Sequence, residues 1–125
     1  MGFSRYMLSI CISLLLVGCV TLHSENPVVE RNKRYRPTWV EQDPGIVLGD
    51  KPHFRYFLHR KKGQPDLLRA IKQIEWEGKH RFSQQGASAS GTTTEDLYYE
   101  GRVDTTSRQK CFDVYILLAS PISSR

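Results

Sequence analysis

Few side chains in this 125-residue chain are placed to do covalent chemistry, and one of them has a defined setting. Cys19 closes the stretch Leu16-Val17-Gly18-Cys19, directly after an apolar run from Met7 to Val17 and a single early cation, Arg5. A basic start, a hydrophobic core of roughly ten residues and a small residue before the cut is the order of an export signal. About 20 apolar residues are needed to cross the hydrocarbon of a bilayer, so this run is too short to be a span. The other candidates lead to bland readings. Cys111 lies in a strand-like run and is expected to be buried. With Cys11 leaving in the signal and Cys19 modified, it has no partner for an intramolecular disulfide. His53 and His59 are not followed by further ligands at metal-site spacing and are predicted as surface histidines of a strand. Glu75 and Glu77, two apart on a helix, do not face each other and form no acid/base pair. No nucleophile, base or metal constellation emerges. The sequence therefore predicts a non-enzyme without metal or cofactor, a hydrolytic enzyme being the least favoured class.

Leu16 to Cys19 resembles the bacterial lipobox, in which the thiol takes a diacylglyceryl group and a peptidase cuts before it. By that resemblance cleavage falls between Gly18 and Cys19, and Cys19 becomes the lipidated N-terminus. Several acyl chains hold a soluble domain at a bilayer, because each buried CH2 contributes about 0.8 kcal/mol. The predicted location is the periplasmic face of the outer membrane, because the residue after the cysteine is Val20 and not the Asp that marks inner-membrane retention. The alternative is the inner membrane. Met1-Gly2 is not a myristoylation signal, because Tyr6 stands where Ser or Thr is needed.

The formal charge of the full chain is +5. Its cations cluster at Arg31, Lys33, Arg34 and Arg36, and again at Arg60, Lys61 and Lys62. Summed attraction of this kind suits an anionic surface. For an exported chain that means membrane phosphates, not nucleic acid. Residues 19–38 read as a lipidated N-terminus and basic tether, because Pro27, Pro37 and the charges interrupt any regular element. A flexible tether of that length spans roughly 20 to 25 Å.

Residues 39–125 are predicted to form one small α+β domain, a helix packed on a mainly antiparallel sheet. From His53 to Arg60 the chain alternates, with Phe54, Tyr56 and Leu58 on one face, a half-buried strand. Pro65 suits the first helical position and Asp66 the positive helix end. Leu67, Ile71, Ile74, Gly78 and Phe82 then form one apolar stripe, with Leu68 and Ala70 at its margins. Residues 83–94 are nearly all small or polar and are predicted as a mobile low-complexity loop. Two β-rich runs, Glu95 to Val103 and Lys110 to Leu118, make a hairpin, the second the central strand.

Pro37-Thr38-Trp39-Val40, the aromatic strand from His53 to Leu58, the helix near Pro65, Glu95-Asp96-Leu97-Tyr98-Tyr99-Glu100 and Val114-Tyr115-Ile116-Leu117-Leu118 with Pro121-Ile122 together resemble a known family. It is that of small bacterial outer-membrane lipoproteins related to the twenty-kilodalton membrane-associated lipoprotein. A similar domain occurs in a flagellar T-ring assembly protein. Two departures stand out: Ile74, Glu75 and Gly78 replace alanines in the helix, and the low-complexity loop replaces further helix and strands. The resemblance implies a membrane-tethered accessory domain and supplies no catalytic residue. The expected function is protein docking or envelope assembly with an unidentified envelope protein. The alternative is a module binding anionic lipid or cell-wall polymer.

Overall fold

A computed structural model describes residues 27–88 and 90–122. The export signal and Cys19 lie outside the described residues. Inside them, one helix packs on a five-stranded antiparallel sheet, the α+β class expected from the periodicities. The strands are β1 (Val28–Arg31), β2 (Gly45–Val47), β3 (Phe54–Gln64), β4 (Thr93–Val103) and β5 (Lys110–Pro121). A 3-10 turn, Thr38–Glu41, lies between β1 and β2, and the helix α1 (Leu67–Gln84) joins β3 to β4. The spatial order is β1-β4-β5-β3-β2, which puts the apolar β5 in the centre.

The helix starts two residues later than its proline suggests. Asp66 is the N-cap, its side chain accepting the Arg69 N–H at 3.2 Å, and Pro65 precedes the cap. An Asp oxygen can satisfy a free N–H of the first turn, so the cap position goes to the acid. The buried face is Ala70, Ile74, Gly78 and Phe82, with Leu67 and Ile71 at its edge and Leu68 exposed. These side chains meet Phe57, Val114, Ile116 and Leu118 from one face of the sheet, and Phe57 stacks on Phe82 at 5.2 Å between centroids. Gly78 sets the approach: a Cβ there would lie 3.0 Å from the Leu118 Cδ1. At the far end the Arg55 guanidinium donates to the Gln85 carbonyl at 2.7 Å, satisfying a group the ending helix leaves free.

The other face of the sheet is also covered, which corrects the half-buried reading of β3. Tyr56, Phe57, Leu58 and His59 are all buried. Leu58, Tyr98 and Tyr115 form a second cluster closed by Val40, with Trp39 and Val47 packed beside it. Trp39 and Val40 are carried to this face by the segment predicted as tether. Val28–Arg31 pairs with β4, and the Asn32 side chain exchanges hydrogen bonds with the Tyr99 N–H and the Leu97 carbonyl, at 2.8 and 3.3 Å. The folded part therefore reaches back at least to β1 and does not open at Trp39. Its hold is long-range pairing, which local periodicity does not display.

The predicted loop over 83–94 is shorter than expected. The helix keeps Ser83 and Gln84, and β4 takes Thr93 and Thr94. Thr92 is buried, its hydroxyl donating to the Ser88 carbonyl at 2.7 Å. The β4–β5 hairpin is as expected, closed by the Asp104 N–H donating to the Gln109 carbonyl at 2.9 Å. Cys111 is a half-buried free thiol and not a core residue.

Candidate functional site

Four residues of β4, Asp96, Tyr98, Glu100 and Arg102, alternate along the strand and so share the sheet face away from the helix. The register sets Asp96 against Leu117, Tyr98 against Tyr115 and Glu100 against Asp113. Two carboxylates directly opposite across a strand pair repel. Arg102 resolves this by donating to Glu100 at 2.9 Å and to Asp113 at 3.2 Å. Glu100 is 1 % exposed, and it takes two more bonds, from Arg36 at 2.6 Å and from the Tyr98 hydroxyl at 3.2 Å. Burial pushes the Tyr98 phenol up, and Glu100 beside it adds to the shift. Burial opposes the Arg36 charge, yet the hydrogen bond and attraction of Glu100 raise its pKa.

One turn along, Asp96 accepts from Arg34 at 2.8 Å, from the Trp39 indole N–H at 2.9 Å and from the Leu97 N–H at 2.9 Å. Burial would raise this carboxyl, but Arg34 and Trp39 outweigh it and hold Asp96 below the usual carboxylate range. The two anions of β4 thus bind the two cations of the N-terminal segment. This fastens Trp39 and Val40 over the apolar cluster.

Of the four cations predicted to face an anionic surface, Arg34 and Arg36 are consequently tied to β4, Arg34 with its side chain still 39 % exposed. Arg36 also reaches Glu41 at 2.7 Å. Arg31 and Lys33 remain exposed. Cys19 and Gly18 lie outside the described residues. The sequence reading missed Asp96, Glu100, Arg102 and Asp113, because a buried ionic face resembles a solvated one in polarity. The usable signal was the matched spacing, Arg34 and Arg36 two apart against an acidic, alternating β4.

Beside this network lies a cleft of about 340 Å³, lined by Trp39, Gln42, Leu48, Asp50, Lys51 and Glu95 among others. Gln42 pairs with the backbone of Leu48 through both amide atoms, at 3.3 and 3.4 Å, and shapes one wall. A Cβ at Gly49 would overlap the Tyr56 ring, so only glycine lets the chain pass there. Lys51 stands 3.5 Å from Glu95, and its N–H donates to the Tyr56 hydroxyl at 3.1 Å. The cleft opens toward Leu48, which is 88 % exposed, close to Ile46 on β2, which is 50 % exposed. Because β2 ends the strand order, its outer edge pairs with no other strand among the described residues.

The helix side holds a second polar group. His59, predicted at the surface, is 8 % exposed and its Nε2 lies 3.3 Å from Glu77. Lys61 donates to the other Glu77 oxygen at 2.8 Å. Burial lowers the His59 pKa against the pull of Glu77, with Arg81 and Lys61 adding to the lowering. The bond from Lys61 draws Glu77 below its ordinary value. Among the described residues no group of three or more His, Cys, Asp or Glu is arranged to hold a metal ion. None of the described helices is long and apolar enough to cross a membrane. Comparison of the chain with family models, curated proteins and solved structures finds no match.

Proposed function

We propose that this chain is a lipid-anchored accessory protein of the cell envelope, attached through Cys19 and acting by docking a second envelope protein. The observation that carries the docking role is the open edge of β2, where Ile46 stands exposed on the helix side of the sheet and Leu48, just beyond the strand, at the Trp39 cleft. A free strand edge offers backbone hydrogen bonds, and flanking apolar side chains add burial and selectivity. The fitting occupant is an extended segment of a partner protein. The ionic groups nearby are used in holding the N-terminal segment to the sheet, a structural role that favours docking over catalysis. The lipobox resemblance and the preceding apolar run support the anchor, and by the same resemblance Val20 in place of Asp favours the outer membrane.

The test is site-specific photocrosslinking in intact cells from Leu48, with Lys62 as the control position. A discrete adduct from Leu48, absent from Lys62, is expected. Ile46→Asp should remove the adduct while leaving the circular dichroism of the protein unchanged. Equal labelling from both positions, or an adduct indifferent to Ile46→Asp in a folded protein, would reject the edge as the docking site.

A further inference from the structure

The outward face of α1 carries a pattern that neither the core nor the β2 edge uses. At about 100° per residue, Arg69, Lys72, Trp76, Lys79 and His80 fall in the arc opposite the buried stripe, with Leu68 at its border next to Glu75. No carboxylate falls there. Trp76 is 70 % and Leu68 73 % exposed, and the Trp76 ring stacks on His80 with centroids 5.5 Å apart. The two acids of the helix sit on its flanks and are already engaged, Glu75 by Lys79 at 3.1 Å and Glu77 by Lys61 and His59. Arg69 and Lys72 form no ion pair among the described residues.

We propose that this face of α1 is a contact surface for an anionic lipid bilayer. Tryptophan is at home at headgroup level, where one side of the ring meets hydrocarbon and the other water. Lysine and arginine stems lie along apolar surface while their charges reach lipid phosphate. An arc with an exposed tryptophan, several cations and an exposed leucine at its border fits that boundary as charge and as polarity. The length of chain before the fold agrees. Pro27 is the first described residue, and only seven residues, 20–26, separate it from Cys19. The eight Cα–Cα steps between them reach at most about 29 Å. An anchored domain is therefore held within about its own width of the lipid, and attraction at a Debye length of about 8 Å can act on whichever face turns inward.

The inference takes its proximity from the lipid-anchor reading, and the experiment separates the two. The full chain is placed in vesicles of phosphatidylcholine, with or without phosphatidylglycerol, whose acyl chains carry bromine as a fluorescence quencher. The acylation state is read by mass. The contribution of Trp76 is the signal lost in Trp76→Phe. A missing acyl mass would sink the anchor reading and leave the quenching measurable on chain added from solution. The expected result is quenching of Trp76 on vesicles containing phosphatidylglycerol and little on phosphatidylcholine alone. Arg69→Gln and Lys72→Gln should each lower the ratio of docked to undocked helix about fivefold. Trp76 left unquenched on both lipids, or quenching indifferent to both substitutions, would overturn the proposal. A Trp76 emission shift with soluble polyglutamate and none with vesicles would assign the face to an acidic protein and overturn it equally.

Discussion

Glu100 lies between two guanidinium groups and a phenol, and at 1 % exposure it has no water to fall back on. Glu100→Gln keeps the volume and removes the charge that Arg36 and Arg102 share. Hydrogen bonds to charged groups contribute about 1.5–3 kcal/mol each, so a loss in that range is expected in the urea midpoint. Glu41→Gln is the contrast: its side chain is 68 % exposed, and the surface pair with Arg36 should change stability by less than about 1 kcal/mol. His59 gives a pH signature. Burial holds it below its ordinary 6.5, so the unfolded chain binds more protons as the pH falls past that value. The stability its neutral ring permits is present above about pH 6.5 and is lost on acidification. Glu77, held below its ordinary 4.5, adds a further loss at lower pH. The denaturation midpoint should fall from pH 7.5 to pH 5.5 in buffers of about 0.15 M ionic strength, and His59→Gln should flatten that fall. An unchanged slope in the variant would assign the dependence to other groups.

At the scale of elements, the helix and sheet meet through Ile74, Phe82, Ile116 and Leu118, all fully buried. Ile74→Ala should cost about 2–5 kcal/mol, and Ile71→Ala less, because Ile71 lies at the rim of the contact. Gly78→Leu should be destabilising by at least about 1–3 kcal/mol despite the better helix propensity of leucine, since the added atoms enter the space of Leu118 and Ile116. A neutral result for Gly78→Leu in chemical denaturation would mean the helix packs farther from β5. These contacts were legible in the sequence: the stripe from Leu67 to Phe82 has helical period, and Val114 to Leu118 is an uninterrupted apolar run. The β4–β5 hairpin was legible through its polar turn. The segment from Val28 to Thr38 was not. Its strand is four residues long, and its ties to Asp96 and Glu100 cross more than 60 residues of sequence, so nothing local separates it from a solvated tether. The same blindness placed His59 at the surface, because the side chain that meets it, Glu77, arrives from the helix 18 residues later.

For the whole molecule, the extension of the fold from Trp39 back at least to β1 shortens the proposed tether and ties two of its four cations to β4. In the account developed above, an acyl anchor at Cys19 keeps the domain near the bilayer, the outer face of α1 rests on anionic lipid and the β2 edge stays open for a partner. The anchor is the premise of that arrangement. It is tested most directly by growing cells that express the chain with a labelled fatty acid, then comparing native protein with Cys19→Ser after membrane fractionation. The account predicts label on the native chain in the membrane fraction, and neither label nor lipid-dependent retention in the variant. Label of equal strength on Cys19→Ser, or an unlabelled native chain that still sediments with membranes, would contradict it.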